Sequence, residues 1–399
     1  MIEDNSNTRT PIIRFQGFNG EWEKKKIGDI AIVLQGYGFP EKYQGQKYGD
    51  LPFCKVGDIS SAVDRGEMVI NKADNFVDYS LLPVLHAQPI PVGSTIFAKI
   101  GEAIRSNKRI RTGVPCLIDN NAAAVKSKGE ISDTFLFYLM SKVNLADYSG
   151  GIVPSVNKST IEAIDVLVPS SRDEQQKIAE CLEAIDQMIS AQNQKVESLK
   201  AHKKGLMQQL FPQPGATTPV LRFPGFACDW QEKSFDVICH TITPPLKLQS
   251  SQYSSSGKFP IVDQSQTLIC GWTNDSSGLL RNTPYIIFGD HTCVLKYIDF
   301  PFIQGADGVK ILGSNKKDNS KFIYQLLLSN PVKQDGYKRH FSDLKEKIFL
   351  LPPTLEEQTK IAECLSSIDE IISVEESKVA FLKAHKKGLM QQLFPQPEK

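Results

Sequence analysis

The sequence predicts a mixed α/β (α+β) protein. Two small bodies are joined by two long helices that pair as an antiparallel coiled coil, in a pseudo-twofold tandem repeat. Three observations predict it. A long amphipathic segment occurs twice, at 177–213 and 360–396, aligned without a gap at an offset of 183 residues. A shorter box occurs twice at the other end of each unit, at 11–30 and 219–238, at an offset of 208. The stretches between box and helix show no convincing similarity to each other, and the first is longer by 25 residues, the difference between the two offsets.

The box comes first. "PIIRFQGFNGEWEKKKIGDI" aligns with "PVLRFPGFACDWQEKSFDVI", so Arg14 pairs with Arg222, Phe15 with Phe223, Phe18 with Phe226 and Trp22 with Trp230. The bodies follow. In the first, 49–59 and 93–103 look like short strands with glycine turns, and "DTFLFYLMSKV" (133–143) looks helical. In the second, "KFPIVDQ", "YIIFGDHTCVLKYI" and "GVKILG" are rich in β-branched and aromatic residues, while "SKFIYQLLLSN" looks helical. Differing bodies suit two different ligands. Matching helices suit two copies of one partner, or each other. Two units do not make an extended repeat array, which needs more copies to bury a continuous core.

Proline bounds each shared segment: Pro169 and Pro352 stand before it and "FPQP" follows. Apolar residues recur at Ile178, Leu182, Ile185, Ile189, Val196, Leu199, Leu206 and Leu210, alternately four and three apart once Gln192 and Lys203 fill the gaps. The second copy repeats the pattern through Ile361, Leu365, Ile368, Ile372, Val379, Leu382, Leu389 and Leu393, with Glu375 and Lys386 at the breaks. A 3.5-residue period is a coiled-coil seam; an amphipathic helix packed on its own body is the other reading. Antiparallel pairing can match the polar breaks, with Gln192 facing Lys386 and Lys203 facing Glu375, and Ile185 opposite Leu393. A shift of one heptad lengthens the apolar overlap, sets Ile178 against Leu393 and leaves Lys203 against Ile368. The polar-matched register is the expectation, because polar seam residues fix register.

Composition limits the function classes. At 399 residues the chain has room for two or three domains. It is 41% hydrophobic and 23% charged, ordinary globular material. No apolar run approaches the roughly 18 residues of a membrane span, and the polar N-terminus lacks a signal peptide, so a cytoplasmic location is expected. The net charge of +1 offers no whole-chain basic excess. Eight cysteines form no C-x-x-C pair and none has a histidine at zinc spacing, so they read as cytosolic thiols. No P-loop, dinucleotide fingerprint, H-E-x-x-H or G-x-S-x-G is present. "EESK" (375–378) sits in the helical repeat, and the Asp290–His291 pair of "FGDHTC" lacks a nucleophile motif nearby. His202 and His385 read as surface residues of the helices. What remains is local basic character. "AKIGEAIRSNKRIRTG" (98–113) holds Lys99, Arg105, Lys108, Arg109 and Arg111 against Glu102, and "YKRHF" (337–341) holds Lys338 and Arg339 beside His340. Such clusters suit phosphate contact and guanine reading, although a solvated face is the blander reading.

The ordered set of motifs resembles the specificity subunit of a Type I restriction-modification system over nearly the whole chain. The resemblance rests on the "P-x-x-R-F-x-G-F…W" boxes, the "P…EQ-x-K-I-A-E-C-L" helix starts, the "KKGLMQQLF" helix ends, and their repetition around divergent bodies. "FGDHT", "GADGVKIL" (305–312) and "RHFSDLKEKIFLLPP" (339–353) add to it. The resemblance implies a target recognition domain at 1–168, a spacer helix at 169–214, a second target recognition domain at 215–352 and a second spacer helix at 353–399. It implies a non-catalytic subunit that reads a bipartite, asymmetric site in double-stranded DNA, one domain per half-site. It also implies two methyltransferase subunits docked on the helices, restriction/translocase subunits added to that core, and no membrane. S-adenosylmethionine, ATP and magnesium would sit on those partners, with no cofactor on this chain. A non-DNA scaffold joining two copies of a partner is the competing reading, and a catalytic protein acting alone is disfavoured by the missing motifs. The expected DNA contacts are Lys99, Arg105, Lys108, Arg109, Arg111, Lys338 and Arg339.

Overall fold

The computed structural model describes residues 9–336 and 338–395. The chain divides into two compact units, residues 1–195 with 375–399 and residues 196–374. Each unit therefore holds one body and one stretch of each long helix.

In the first unit, β1 (Glu23–Lys26) is followed by β2 (Ala31–Gln35), β3 (Thr95–Ala98), β4 (Arg109–Thr112) and β5 (Ala122–Ser127). The strands β2, β5, β3 and β4 lie side by side in that order, each pair antiparallel, and Val69–Ile70 adds a parallel edge beside β4. Helix α1 (Asp133–Lys142) begins at Ser132, whose hydroxyl accepts from the Phe135 N–H at 3.1 Å. It buries Phe135, Leu136, Tyr138, Leu139 and Met140 in the core that also takes Val33, Phe97 and Val125 from the sheet. The body closes with β6 (Asp165–Val168), which pairs antiparallel with β1, Glu23 opposite Val168. Helix α2 (Arg172–Leu210) follows.

The second unit repeats this frame. Its elements are β7 (Gln231–Ser234), β8 (Cys239–Ile242), β9 (Tyr285–Gly289), β10 (Leu295–Ile298), β11 (Val309–Ser314), α3 (Ser320–Ser329), β12 (Ile348–Leu351) and α4 (Leu355–Leu393). The sheet order β8, β11, β9, β10 is the same antiparallel order, and β7 pairs with β12 as β1 does with β6. Helix α3 is capped by Asn319, which accepts from the Phe322 N–H at 3.0 Å. The two bodies thus share a topology that their sequences do not display. A strand needs only its alternation of buried faces, which many side-chain sets satisfy.

The boxes clamp each body to the helix that follows it. The Arg14 guanidinium forks onto the Glu174 carboxylate at 2.7 Å through both Nε and Nη2, and Trp22 Nε1 donates to the same carboxylate at 3.4 Å. Arg222 and Trp230 do the same to Glu357, at 2.8, 3.0 and 3.3 Å. Both glutamates are buried, so the bidentate arginine and the indole together satisfy charges that would otherwise be costly. The neighbouring Gln175 and Gln358 donate to the carbonyls of Pro169 and Pro352 at 2.9 and 3.4 Å, which accounts for the paired Glu-Gln of each helix start.

The ends of the helices cross over. In the first unit Phe394, at the end of α4, stacks edge-on to Trp22 with ring centroids 5.8 Å apart, and the Ile13 N–H donates to Gln392 O at 3.2 Å. In the second unit Phe211, at the end of α2, meets Trp230 at 6.1 Å, and the Leu221 N–H donates to Gln209 O at 2.9 Å. Each "QQLF" end therefore completes the core around the other copy's tryptophan.

Within each unit the paired helix stretches run antiparallel, and the polar-matched register is not the one adopted. In the first unit Ile178 and Leu182 share a core with Leu393 and, at its margin, Leu389. Lys386 Nζ sits 2.6 and 2.7 Å from the two Asp186 oxygens, which leaves Gln192 to meet Glu375. In the second unit Lys203 Nζ lies 2.7 Å from both Asp369 oxygens, one residue beyond Ile368, rather than on Glu375. The longer apolar overlap wins because each lysine stem runs along the seam and delivers its ammonium to a carboxylate beside it, so no charge is stranded. Asp186 and Asp369 also receive Tyr138 Oη at 2.7 Å and Gln325 Nε2 at 3.0 Å, tying α1 and α3 to the seam. Of the other expected seam residues, Ile185, Ile189, Val196, Ile372, Glu375 and Val379 are buried, while Leu199, Ile368 and Leu382 are half-buried.

Glu375 accepts from Lys195 at 3.0 Å, from Gln192 and from Lys378 at 3.0 Å, and these donors lower its pKa from 4.5 to about 2. A carboxyl with a depressed folded pKa stabilises the fold above its unfolded pKa, and that contribution is lost as pH falls through the folded one. The stability difference between the native chain and Glu375→Gln should therefore shrink as pH drops from about 4.5 to about 2. Urea midpoints at a series of pH values measure it; a difference that stays constant across that window would contradict the assignment.

Candidate nucleic-acid interface

The sheet of each body ends at a corner where β3 or β9 delivers a loop. In the first unit the chain leaves β3 at Lys99, whose N–H donates to Asn121 O at 2.8 Å and whose carbonyl accepts from the Val156 N–H at 2.9 Å. Gly101 turns there with φ +83° and donates to Pro154 O at 2.8 Å. A 3-10 turn, Glu102–Ser106, then leads into β4.

The basic residues of this segment divide into two groups. Arg105 is exposed and pairs with Glu102 at 2.9 Å, and Lys108 reaches Asp64 at 2.7 Å. The other three point inward, contrary to the expectation that they line a DNA surface. Lys99 is buried, donates to Gln35 Oε1 at 2.9 Å, and is lowered in pKa by that burial, with Asp119 pulling the other way. Arg109 is 6% exposed; it donates to Asn107 O at 2.9 Å and Val143 O at 2.8 Å and lies over the Phe97 ring. Burial lowers its pKa, yet its carbonyl partners suit the charged guanidinium. Arg111 donates to Thr134 Oγ1 at 2.7 Å and to Glu183 of α2 at 2.5 Å, which fastens the sheet to the helix. The cause is strand alternation. Residues 109 and 111 are two apart on β4, so both project to one face, where α1 and α2 supply the partners of Arg111 and the ends of the 3-10 turn and of α1 supply those of Arg109.

In the second unit the corner gathers three motifs that lie far apart in sequence. The Asp290 N–H donates to Gly308 O at 2.6 Å, and its carbonyl accepts from the His340 N–H at 2.8 Å. The Asp290 carboxylate points inward, accepts from the Phe341 N–H at 2.9 Å and has Lys310 Nζ at 3.9 Å. Asp290 is thus a buried brace for the 338–341 segment rather than half of an acid–base pair. His291 Nδ1 lies 3.2 Å from Lys338 O, and Gln334 Nε2 donates to His291 O at 3.1 Å. Gln264, which the sequence did not single out, joins the corner: its Oε1 accepts from the His291 N–H at 3.2 Å and its Nε2 donates to Asp307 O at 3.3 Å. Gly289 permits this turn, since a Cβ there would stand 2.2 Å from Thr292 Oγ1.

Lys338 and Arg339 stand exposed on this corner. Lys338 keeps Asp343 at 3.6 Å and Asp335 at 3.9 Å. Among the described residues no carboxylate lies within ion-pair distance of Arg339. Tyr337 lies outside the described residues. His340 is fully buried, with Nδ1 3.2 Å from Asp343, and its side chain lowers the pKa of that carboxyl, aided by Lys338.

The two corners match. In each, the carbonyl of the first residue after β3 or β9 accepts a backbone bond from the segment that precedes the last short helix of the body. That segment presents Ile152 and Val153 in the first unit and Lys338 and Arg339 in the second. One scaffold thus displays two different chemistries. Among the described residues no helix is long and apolar enough to cross a membrane.

The chain matches the family model of the Type I restriction modification DNA specificity domain twice, over residues 19–201 and 228–384. A Type I restriction enzyme MjaVIII specificity subunit from Methanocaldococcus jannaschii is 25% identical over 423 residues, covering 94% of this chain and 92% of that relative. The EcoR124I/EcoR124II specificity subunit from Escherichia coli is 26% identical over 112 residues, 26% of this chain and 28% of that relative. Among solved structures, the S subunit of a Type I restriction-modification system from M. genitalium superposes with a TM-score of 0.62 at 14% identity, covering 98% of this chain and all of that one. A chain from a structure of the type I R-M system gives a TM-score of 0.50 at 16% identity, covering 94% of this chain and 97% of that one. At these identities the two structural likenesses speak for the fold alone.

Proposed function

Because the chain belongs to the Type I restriction modification DNA specificity family, we propose that it is the sequence-reading subunit of such a complex, with each body taking one half of a bipartite, asymmetric site in double-stranded DNA. The observation that carries this reading is the repeated corner: the same backbone frame holds different exposed side chains, as two different half-sites require. The shared helices would dock two methyltransferase subunits, with restriction/translocase subunits joining that core. Met188 and Ile371 support two identical partners, since they occupy the same repeat position, 183 residues apart, and both are exposed. The chain would carry no catalysis of its own. S-adenosylmethionine, ATP and magnesium would be held by the partners, and the complex would work in the cytoplasm.

On this reading Lys338 and Arg339 of the second body, and Arg105 and Lys108 of the first, face phosphate or base edges. Lys99, Arg109 and Arg111 act at one remove, by holding the first corner and β4 in place. The test is salt dependence. Each phosphate-contacting cation contributes about one to the slope of log affinity against log salt. The change Lys338→Ala/Arg339→Ala should lower that slope by about two when both residues contact phosphate. An unchanged slope would remove them from the interface. A native chain that shows no salt-dependent association with DNA would favour a scaffold without a DNA partner.

A further inference from the structure

The loop at 149–156 of the first body is a built feature. Gly150 and Ser155 face each other in a two-residue bridge, the Gly150 N–H donating to Ser155 O at 3.4 Å and the Ser155 N–H to Gly150 O at 3.3 Å. Between them Gly151, at φ +90°, and Pro154 close a four-residue tip. Ser155 also bridges to Ile100, and Pro154 O accepts from Gly101, so the tip is pinned to the loop that carries Arg105. At its apex Ile152 is 104% exposed and Val153 60%. These two β-branched side chains add little or nothing to the core. Their methyl groups stand exposed on a finger pinned at its base, a placement that gains free energy only when something covers them.

We infer that this finger is a base-reading element whose ligand is the C5-methyl group of a thymine in the first half-site. The inference rests on the DNA-reading function proposed above and adds what one corner reads. Two observations select DNA as the occupant. The base of the finger, Pro154 and Ser155, holds the place at which the second body exposes Lys338 and Arg339, and it is pinned to the loop that carries the exposed Arg105. On base edges in the major groove the apolar group is the thymine methyl, and aliphatic side chains take it. A pinned tip also gives up little conformational entropy on contact.

The probe is the full chain with duplexes carrying its mapped site, in which each thymine of the first half-site is replaced in turn by deoxyuridine. Deoxyuridine lacks only the methyl, and one methyl withdrawn from water corresponds to about fourfold in affinity. The native chain should lose about fourfold at one or two of these thymines. The Ile152→Ala/Val153→Ala chain should bind the thymine site more weakly and be indifferent to the replacement, while Ile152→Leu keeps the sensitivity. Unchanged melting curves verify that the exposed tip was altered without unfolding the body. Equal losses in native and doubly substituted chains, or no sensitive thymine in that half-site, overturn the inference while leaving site binding intact. A native chain that binds its site no better than an unrelated duplex overturns the function beneath it, and the inference with it.

Discussion

Replacing Phe394 by alanine is expected to destabilise the first unit by about 3–5 kcal/mol, the usual cost of removing a buried phenylalanine. The residue is 3% exposed and packs against Trp22 and Phe135, with both ring centroids at 5.8 Å. Trp22 is also the indole that donates to Glu174, so a hole beside it loosens the clamp between the body and α2. Alanine at Phe211 should act equally, but on the second unit, where Phe211 lies 5.7 Å from Phe322 and 6.1 Å from Trp230. Denaturant unfolding followed by hydrogen exchange separates the two cases. Amides of β2, β3 and β5 should lose protection in Phe394→Ala, and those of β8, β9 and β11 in Phe211→Ala. Loss in the opposite unit would contradict the crossed packing of the helix ends.

Much of this plan is legible in the sequence, and the limits are physical. The boxes and helices are readable because their function depends on particular side chains: a guanidinium and an indole for a buried carboxylate, and a heptad seam for a second helix. The crossing of the ends is hidden because Phe211 and Phe394 are identical, and either could close its own body. The register is hidden at Lys203 and Lys386 because position in the heptad pairs a seam lysine with a polar seam residue, whereas its long stem reaches Asp369 or Asp186. The common topology of the bodies is hidden because alternating burial constrains polarity more than identity. Arg109 and Arg111 misled for a related reason: a basic run looks like a surface until it is known to be a strand, whose alternate residues can turn inward. The apolar finger left only "GG" and a proline as signals, which mark a turn but not what it displays.

The central claim is that each body reads its own half-site independently. The ribbon of β1 with β6 brings both ends of the first body to one place, so residues 31–164 can be exchanged for the body of another family member with the ribbon, box and long helices left intact. A wrong base pair costs about 1–3 kcal/mol, so a half-site of several wrong bases loses on the order of a thousandfold or more. The exchange should therefore abolish recognition of the old first half-site and install the donor's. The most direct measurement is a genome-wide map of methylated bases in cells carrying either the native or the exchanged chain with its methyltransferase. A map in which one half of the site changes and the other half is retained is the predicted result. A map in which both halves change, or in which the original bipartite site persists, would contradict the claim.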